Sequence, residues 1–288
     1  MPVPRAKLAL LSCALLLCIT AGSQSALAQT APRSAATATP TPANIHARVT
    51  ERVVDATTPD DASVDKMLGA YAPKVRALDL VIGKLKGDLK KGSIGAGSLG
   101  SFVTDGIRVQ ASLKLGKPVA LAVTNGGGLR KNAIAEGDLR TRDIFELLPF
   151  ENSLVAFELT GAQLLDLLKV VVATRDAQSG ARVTYRINAD KKNELESARL
   201  LIDGKEKDID PAAIYTVICI DYLLKVKGDY AVLQQAKTIK PLGFTIRDVI
   251  IDYVKAETAA GRDIKPPSDG RYRFDKANSA VTEEVRPQ

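Results

Sequence analysis

The hydrophobic residues of this chain arrive in two regimes. The first is one short run, Leu8 to Ile19, preceded by Arg5 and Lys7 and followed by the small residues Ser25-Ala26-Leu27-Ala28. That order predicts a signal peptide over 1–28 and an exported protein, periplasmic or secreted. The run is too short to cross a bilayer, which takes about 20 apolar residues, and no later stretch is both long and uncharged, so no membrane span is expected. Residues 29–43 are rich in Ala, Thr and Pro and poor in large apolar side chains. They cannot bury enough surface to offset the entropy of ordering, and a disordered leader is expected.

From residue 44 the apolar positions become periodic, and they stay so to about 274. Val64, Met67, Leu68 and Tyr71 follow Ser63 at helical spacing, and Leu99, Phe102, Val103 and Ile107 repeat it. A short helix starts near Thr141. Thr160 and Gln163 form a capping-box pattern ahead of Leu164, Leu167, Leu168, Val171 and Val172. Ile246, Val249, Ile250, Tyr253 and Val254, closing at Gly261, predict another helix. Short β-branched runs at 119–123, 154–159, 183–188, 200–202 and 215–220 read as strands, with Asp203-Gly204 as a hairpin turn. Helices and strands are interspersed without strict βαβ order, so the fold class expected is α+β, a mixed sheet with helices packed on it. One globular domain over 44–274 follows, and the polar segment 275–288 reads as a loose tail.

Charge changes this picture little. The 40 Lys and Arg against 33 Asp and Glu make the chain basic, but Arg5 and Lys7 belong to the signal. The other basic residues are scattered, with no aromatic-interleaved stripe, so a nucleic acid polymer is not an expected partner. Removing the signal also removes Cys13 and Cys18, leaving Cys219 as the one thiol, read as a small buried residue.

The positions with candidate chemistry lie at the ends of strands. Strand 119–123 runs into Thr124-Asn125-Gly126-Gly127-Gly128-Leu129-Arg130. Three glycines leave room for a ligand, permit positive φ and can direct backbone N–H groups at an anion. Asn125 and Arg130 bracket them with an amide and a cationic fork. Taken alone, such a run is more often just a tight turn, and it is neither a Walker loop nor a dinucleotide fingerprint. Leu148-Pro149-Phe150 ends the short helix, with Phe150 read on its own as core. Tyr222 sits where the late strand passes into Lys225, Lys227, Gly228 and Asp229.

Taken in order, Asn125-Gly-Gly-Gly-Leu-Arg130, Leu148-Pro149-Phe150-Glu-Asn-Ser, Glu158-Leu159-Thr160-Gly161, and Tyr215-Thr-Val with Asp221-Tyr222-Leu223 and Gly228-Asp229-Tyr230 resemble the C-terminal domain of the 5'-nucleotidases. The resemblance spans about 50 to 274. It implies nucleotide or nucleoside recognition, with Phe150 and Tyr222 sandwiching the base, Asn125, Gly127, Gly128 and Arg130 meeting base and phosphate or ribose oxygens, and Asp229 holding ribose hydroxyls. The late loop departs from the family's Gly-Gly-Asp-Gly-Tyr, since Lys225-Val226-Lys227 stands ahead of Gly228-Asp229-Tyr230. The arginines that the family tends to carry before its Leu-Gly-Asn helix start are absent from 93–100, which leaves Lys90 or Lys91 as the nearest cations.

The resemblance also implies a two-metal hydrolytic domain ahead of this one. With His46 as its one histidine, this chain is not expected to assemble such a site, so no cofactor, metal site or catalytic residue is assigned to it. Divalent metals would belong to a partner domain. The readings left open are the substrate-binding half of a split enzyme working with a separate metallophosphatase chain, a nucleoside-binding protein without such a partner, and a non-catalytic interaction module.

Overall fold

A computed structural model of the chain describes residues 48–225, 228–267 and 270–280. The expected signal peptide, the leader and His46 lie outside the described residues. The chain divides into two units, 1–58 and 59–288. In the first, Asp55 accepts hydrogen bonds from the backbone and hydroxyl of Thr57.

The second unit opens with helices α1 (Ala62–Gly69) and α2 (Ala72–Ala77), then strands β1 (Val81–Leu85) and β2 (Leu89–Lys90) and the long helix α3 (Gly97–Leu115). Strand β3 (Leu121–Thr124) leads through a 3₁₀ turn at Gly126–Gly128 to β4 (Ala133–Ile134), β5 (Gly137–Arg140) and α4 (Thr141–Leu147). Next come β6 (Ser153–Thr160), α5 (Gly161–Thr174), β7 (Ala177–Ser179), β8 (Ala181–Ile187), β9 (Asn193–Ile202) and β10 (Lys205–Asp208). The chain continues with β11 (Ile214–Ile220), α6 (Asp221–Lys225), β12 (Thr238–Thr245), α7 (Ile246–Ala259) and β13 (Tyr272–Phe274).

The fold is α+β. Its central sheet has the order β12-β6-β11-β3-β7 and is mixed, because β11 runs parallel to β3 and antiparallel to β6. All four residues of β3 are buried, as expected of a strand covered on both faces. Helix α3 packs on β3, β7 and β11, and α5 packs on β6 and β11 while also touching β9 of a second sheet, β10-β9-β8-β13.

Local chemistry explains where elements start. Thr160 Oγ1 accepts from Gln163 N–H while Gln163 Oε1 accepts from Thr160 N–H, closing the capping box of α5. Gly161 is required there, because a side chain would collide with Asp210 O. Thr245 and Asp248 repeat the device at α7. The turn Asp203-Gly204 has φ of 53° and 73° between the paired Ile202 and Lys205, the geometry a two-residue hairpin needs.

Two sequence expectations need adjustment. The early helix is capped by Asp61, not opened by Ser63, and its Val64, Met67 and Leu68 stay exposed along with Tyr71. The segment read as a loose tail is bonded along its first residues: Asp275 N–H donates to Tyr185 O and Ala280 N–H to Ile187 O, both at 2.8 Å.

A buried ion pair fastens β13 to the rest. Arg271, 6 % exposed, donates to both carboxylate oxygens of Asp105 in α3, at 3.1 and 2.9 Å, and to Gln178 O of β7. Ser179 Oγ donates to the same carboxylate. Replacing Asp105 by Ala removes the carboxylate from a buried guanidinium that keeps Gln178 O, and chemical denaturation should show a loss of about 1–3 kcal/mol.

Candidate functional site

The central sheet gathers the candidate residues without any of them being near in sequence. Ile220 pairs with Leu154 and Cys219 with Val123. The C-terminal ends of β3 and β11 and the N-terminal end of β6 therefore lie side by side. Asn125 leaves the first, Tyr222 the second, and Phe150 enters the third. A crevice of about 210 Å³, its open mouth included, sits there, lined by Thr124, Asn125, Leu148, Phe150, Ile220 and Ile246 among others. Only about 10 Å³ of it is enclosed, room for a single water, against the roughly 300–1,000 Å³ of pockets that enclose a small molecule, so it is a notch at the surface and not an enclosed pocket.

Asn125, Gly128, Arg130 and Phe150 come together at this mouth. Arg130 is exposed, with its guanidinium 5.8 Å from the centre of the Phe150 ring, within cation–π range, and 3.4 Å from Gly127 O. Its backbone N–H donates to Leu147 O at 2.9 Å, which ties the glycine turn to the Leu-Pro-Phe segment. Phe150, read alone as core, is instead 48 % exposed. Asn125 Oδ1 is buried and has no hydrogen-bond donor among the described residues, an acceptor that the protein itself leaves open. Tyr222, 45 % exposed, is the second residue of α6 at the same sheet end but does not line the crevice. Asp229 is exposed next to the buried Tyr230.

The glycine turn differs from its sequence reading in one physical respect. None of Gly126, Gly127 and Gly128 has positive φ. Space is what Gly128 provides, because a Cβ there would lie 2.9 Å from Asn125 Oδ1. The turn's amides are also partly committed: Gly126 N–H donates to Asp176 Oδ1 and Gly128 N–H to Asn125 O.

The supports of the site lie in Arg247, which sequence reasoning passed over, and in Asp221 and Lys91, which it named without giving them this role. Arg247, second residue of α7, donates from Nε to Leu148 O at 3.0 Å and from an Nη to Pro149 O at 2.8 Å. Its guanidinium stands 4.3 Å from the centre of the Phe145 ring. Asp221 Oδ1 accepts from Ser153 N–H, joining the segment after Phe150 to the one that carries Tyr222. Lys91 Nζ donates to Leu129 O at 2.8 Å, so this lysine does return to the glycine turn, while Lys90 pairs with Asp88. Nothing in the spacing of Arg247 marks it, because it acts on carbonyls distant in sequence.

Cys219 is fully buried in β11, and burial pushes its thiol well above the ordinary range; it is a packing residue, not a nucleophile. Among the described residues, no three His, Cys, Asp or Glu side chains are gathered to hold a metal ion, and no helix is long and apolar enough to cross a membrane.

Residues 81–235, more than half of the chain, match the family described as 5'-nucleotidase, C-terminal domain. This chain belongs to the 5'-nucleotidase C-terminal domain family. It is 27% identical over 177 residues to a 5'-nucleotidase of Vibrio cholerae, spanning 61% of this chain and 30% of that protein. To the trifunctional nucleotide phosphoesterase protein YfkN of Bacillus subtilis it is 24% identical over 184 residues, 61% of this chain and 12% of the relative. A solved 5'-nucleotidase precursor from Thermus thermophilus superposes with a TM-score of 0.62 at 26% identity, covering 75% of this chain and 44% of that one. The chain thus spans less than half the length of these relatives.

Removing the Arg247 clamp tests how the Leu-Pro-Phe segment is held. Arg247→Ala leaves two carbonyls without their donor, and thermal or chemical unfolding should show a loss of about 1–3 kcal/mol.

Proposed function

We propose that this 5'-nucleotidase C-terminal domain recognises nucleosides and nucleotides and is the substrate-binding half of an exported, split 5'-nucleotidase, with a separate metallophosphatase chain supplying the metals and the hydrolysis. The observation that carries this reading is the convergence of Asn125, Arg130 and the half-exposed Phe150 on one sheet end, with Tyr222 entering from the neighbouring strand. A Phe150 ring half in water at the crevice mouth, with a half-exposed Tyr222 at the same sheet end, suits a planar ligand better than a core. Stacking on them is tolerant of base identity.

In this reading Phe150 and Tyr222 sandwich the base, and the unpartnered Asn125 Oδ1 accepts a base N–H. Gly127 and Gly128 keep the approach open. Arg130, always cationic, meets phosphate or ribose oxygens, while Asp229, acceptor-only, takes ribose hydroxyls. The metal chemistry belongs to the partner chain.

Titration calorimetry with adenosine and AMP tests the assignments together. Phe150→Ala and Tyr222→Ala should each weaken adenosine by about 1–3 kcal/mol with the fold intact. Arg130→Ala should cost AMP more than adenosine, by about 1.5–3 kcal/mol for a lost charge-assisted bond, whereas Asp229→Asn should weaken both ligands alike. Equal losses for AMP and adenosine in Arg130→Ala would remove Arg130 from the phosphate.

The split role has its own test. Alone with Mn²⁺, Co²⁺ or Zn²⁺, the purified chain should release no phosphate from AMP, and adding it to an exported metallophosphatase chain of the same genome should raise that chain's kcat/KM for AMP. Phosphate release that follows this protein through repurification would overturn it.

A further inference from the structure

Asp176 is a carboxylate to which no ligand role is assigned, yet three chain segments converge on it. It is 8 % exposed. Its position is set by the end of α5: Arg175 takes the left-handed conformation at φ 61°, its N–H donates to Val172 O, and Asp176 N–H donates back to Val171 O. This is the double bond of a Schellman cap, and it turns the Asp176 side chain away from the helix towards the sheet end.

There Oδ1 accepts from Gly126 N–H at 2.8 Å, and Oδ2 accepts from the Tyr230 hydroxyl at 2.5 Å and the Thr174 hydroxyl at 2.8 Å. The carbonyl of Asp176 accepts from the Tyr272 hydroxyl at 2.6 Å. Gly126 opens the turn between Asn125 and Arg130, and Tyr230 directly follows Asp229. Burial, reinforced by the neighbouring carboxylate, pushes the Tyr230 hydroxyl well above its usual range, so it remains a donor. A buried carboxylate is costly unless its acceptor sites are filled. Here the filling donors come from the glycine turn, from the end of α5 and from the residue that follows Asp229.

We infer that Asp176 is a positioning residue that fixes the glycine turn and the Asp229 loop to one carboxylate, setting the separation between the wall that meets the base and the wall that meets the sugar. The ligand half of this inference rests on the proposed nucleoside reading. The coupling between the two walls does not.

Tyr230→Phe removes one hydroxyl and cuts only the arm to the Asp229 loop. Amide exchange followed by NMR in the free protein should then show Gly126 N–H exchanging about tenfold faster or more, through the loosened carboxylate, while core amides such as Ile218 keep their protection. Calorimetry should show adenosine affinity falling by about tenfold, the scale of a lost charge-assisted hydrogen bond, and adenine, which has no ribose, changing less than twofold. Combined with Asp229→Asn, Tyr230→Phe should add no further loss for adenosine, because its effect runs through Asp229. Asp176→Asn, which keeps an acceptor for Gly126, should reproduce the adenosine loss.

Unchanged exchange at Gly126 in Tyr230→Phe would overturn the coupling whatever the ligands do. Faster exchange with unchanged adenosine affinity, or additive losses with Asp229→Asn, would overturn the positioning role and leave Asp176 a stabilising group. A parent protein that binds neither adenosine nor AMP would overturn the nucleoside reading and the positioning role with it, and the exchange result would still decide the coupling.

Discussion

The placement of β11 between β3 and β6 is the constraint on which the rest depends. Its residues Val217, Ile218, Cys219 and Ile220 are all buried, and its register is fixed on both sides, parallel to β3 and antiparallel to β6. Side chains alternate across a sheet, so a slip of one residue would exchange the two faces of a strand that is apolar on both. It would also displace Tyr222 along the strand axis relative to Phe150 and Asn125. The packing that selects the register therefore selects the site. Cys219 fits this role, since a small polarisable side chain fills a position where a larger one would overpack.

With the strands registered, the rings at their ends remain a problem of surface chemistry. Phe150 lies in a segment with no secondary structure of its own and is half in water. Left to itself such a segment would sample many conformations, and any ligand would bear the entropy of ordering it. The chain removes that cost in advance. Arg247 holds the carbonyls before Phe150, Ile246 N–H holds Asn152 O after it, and Asp221 holds Ser153 N–H. Helix α7 supplies the first two of these from a start fixed by the Thr245 and Asp248 box, so the order of the site traces back to a helix cap.

What the sequence disclosed follows the range of the interactions concerned. The Thr160 and Gln163 box, the Asp203-Gly204 turn and the apolar faces of α3, α5 and α7 are written within a few residues, and all were legible. Strand β12 was not, because Thr238 to Thr245 is mostly exposed, contains Lys240, Pro241 and Gly243, and forms the sheet edge against β6, where alternation is not enforced. The exposed apolar face of α1 shows the converse: periodicity specifies a helix but not what covers it. At the site, the motif order exposed Asn125, Arg130, Phe150 and Tyr222, whereas Asp176 and Arg247 were silent because their partners are 50 to 99 residues away.

The shape of the crevice bears on how recognition and hydrolysis could be divided between chains. The buried end, with Asn125 Oδ1 and the apolar Leu148 and Ile220, has room for about one water-sized group. Under the proposed reading the base enters first and the sugar and phosphate lie outward, past Arg130, in contact with solvent. A phosphate enclosed by its binding domain would have to be released before a second chain could act on it. One presented at an open mouth can instead be met by metal ions carried on another surface, while the base stays where the rings hold it. Two-metal hydrolysis needs access to the phosphoryl oxygens and not to the base, and under the proposed reading a shallow site would meet that requirement without any opening step.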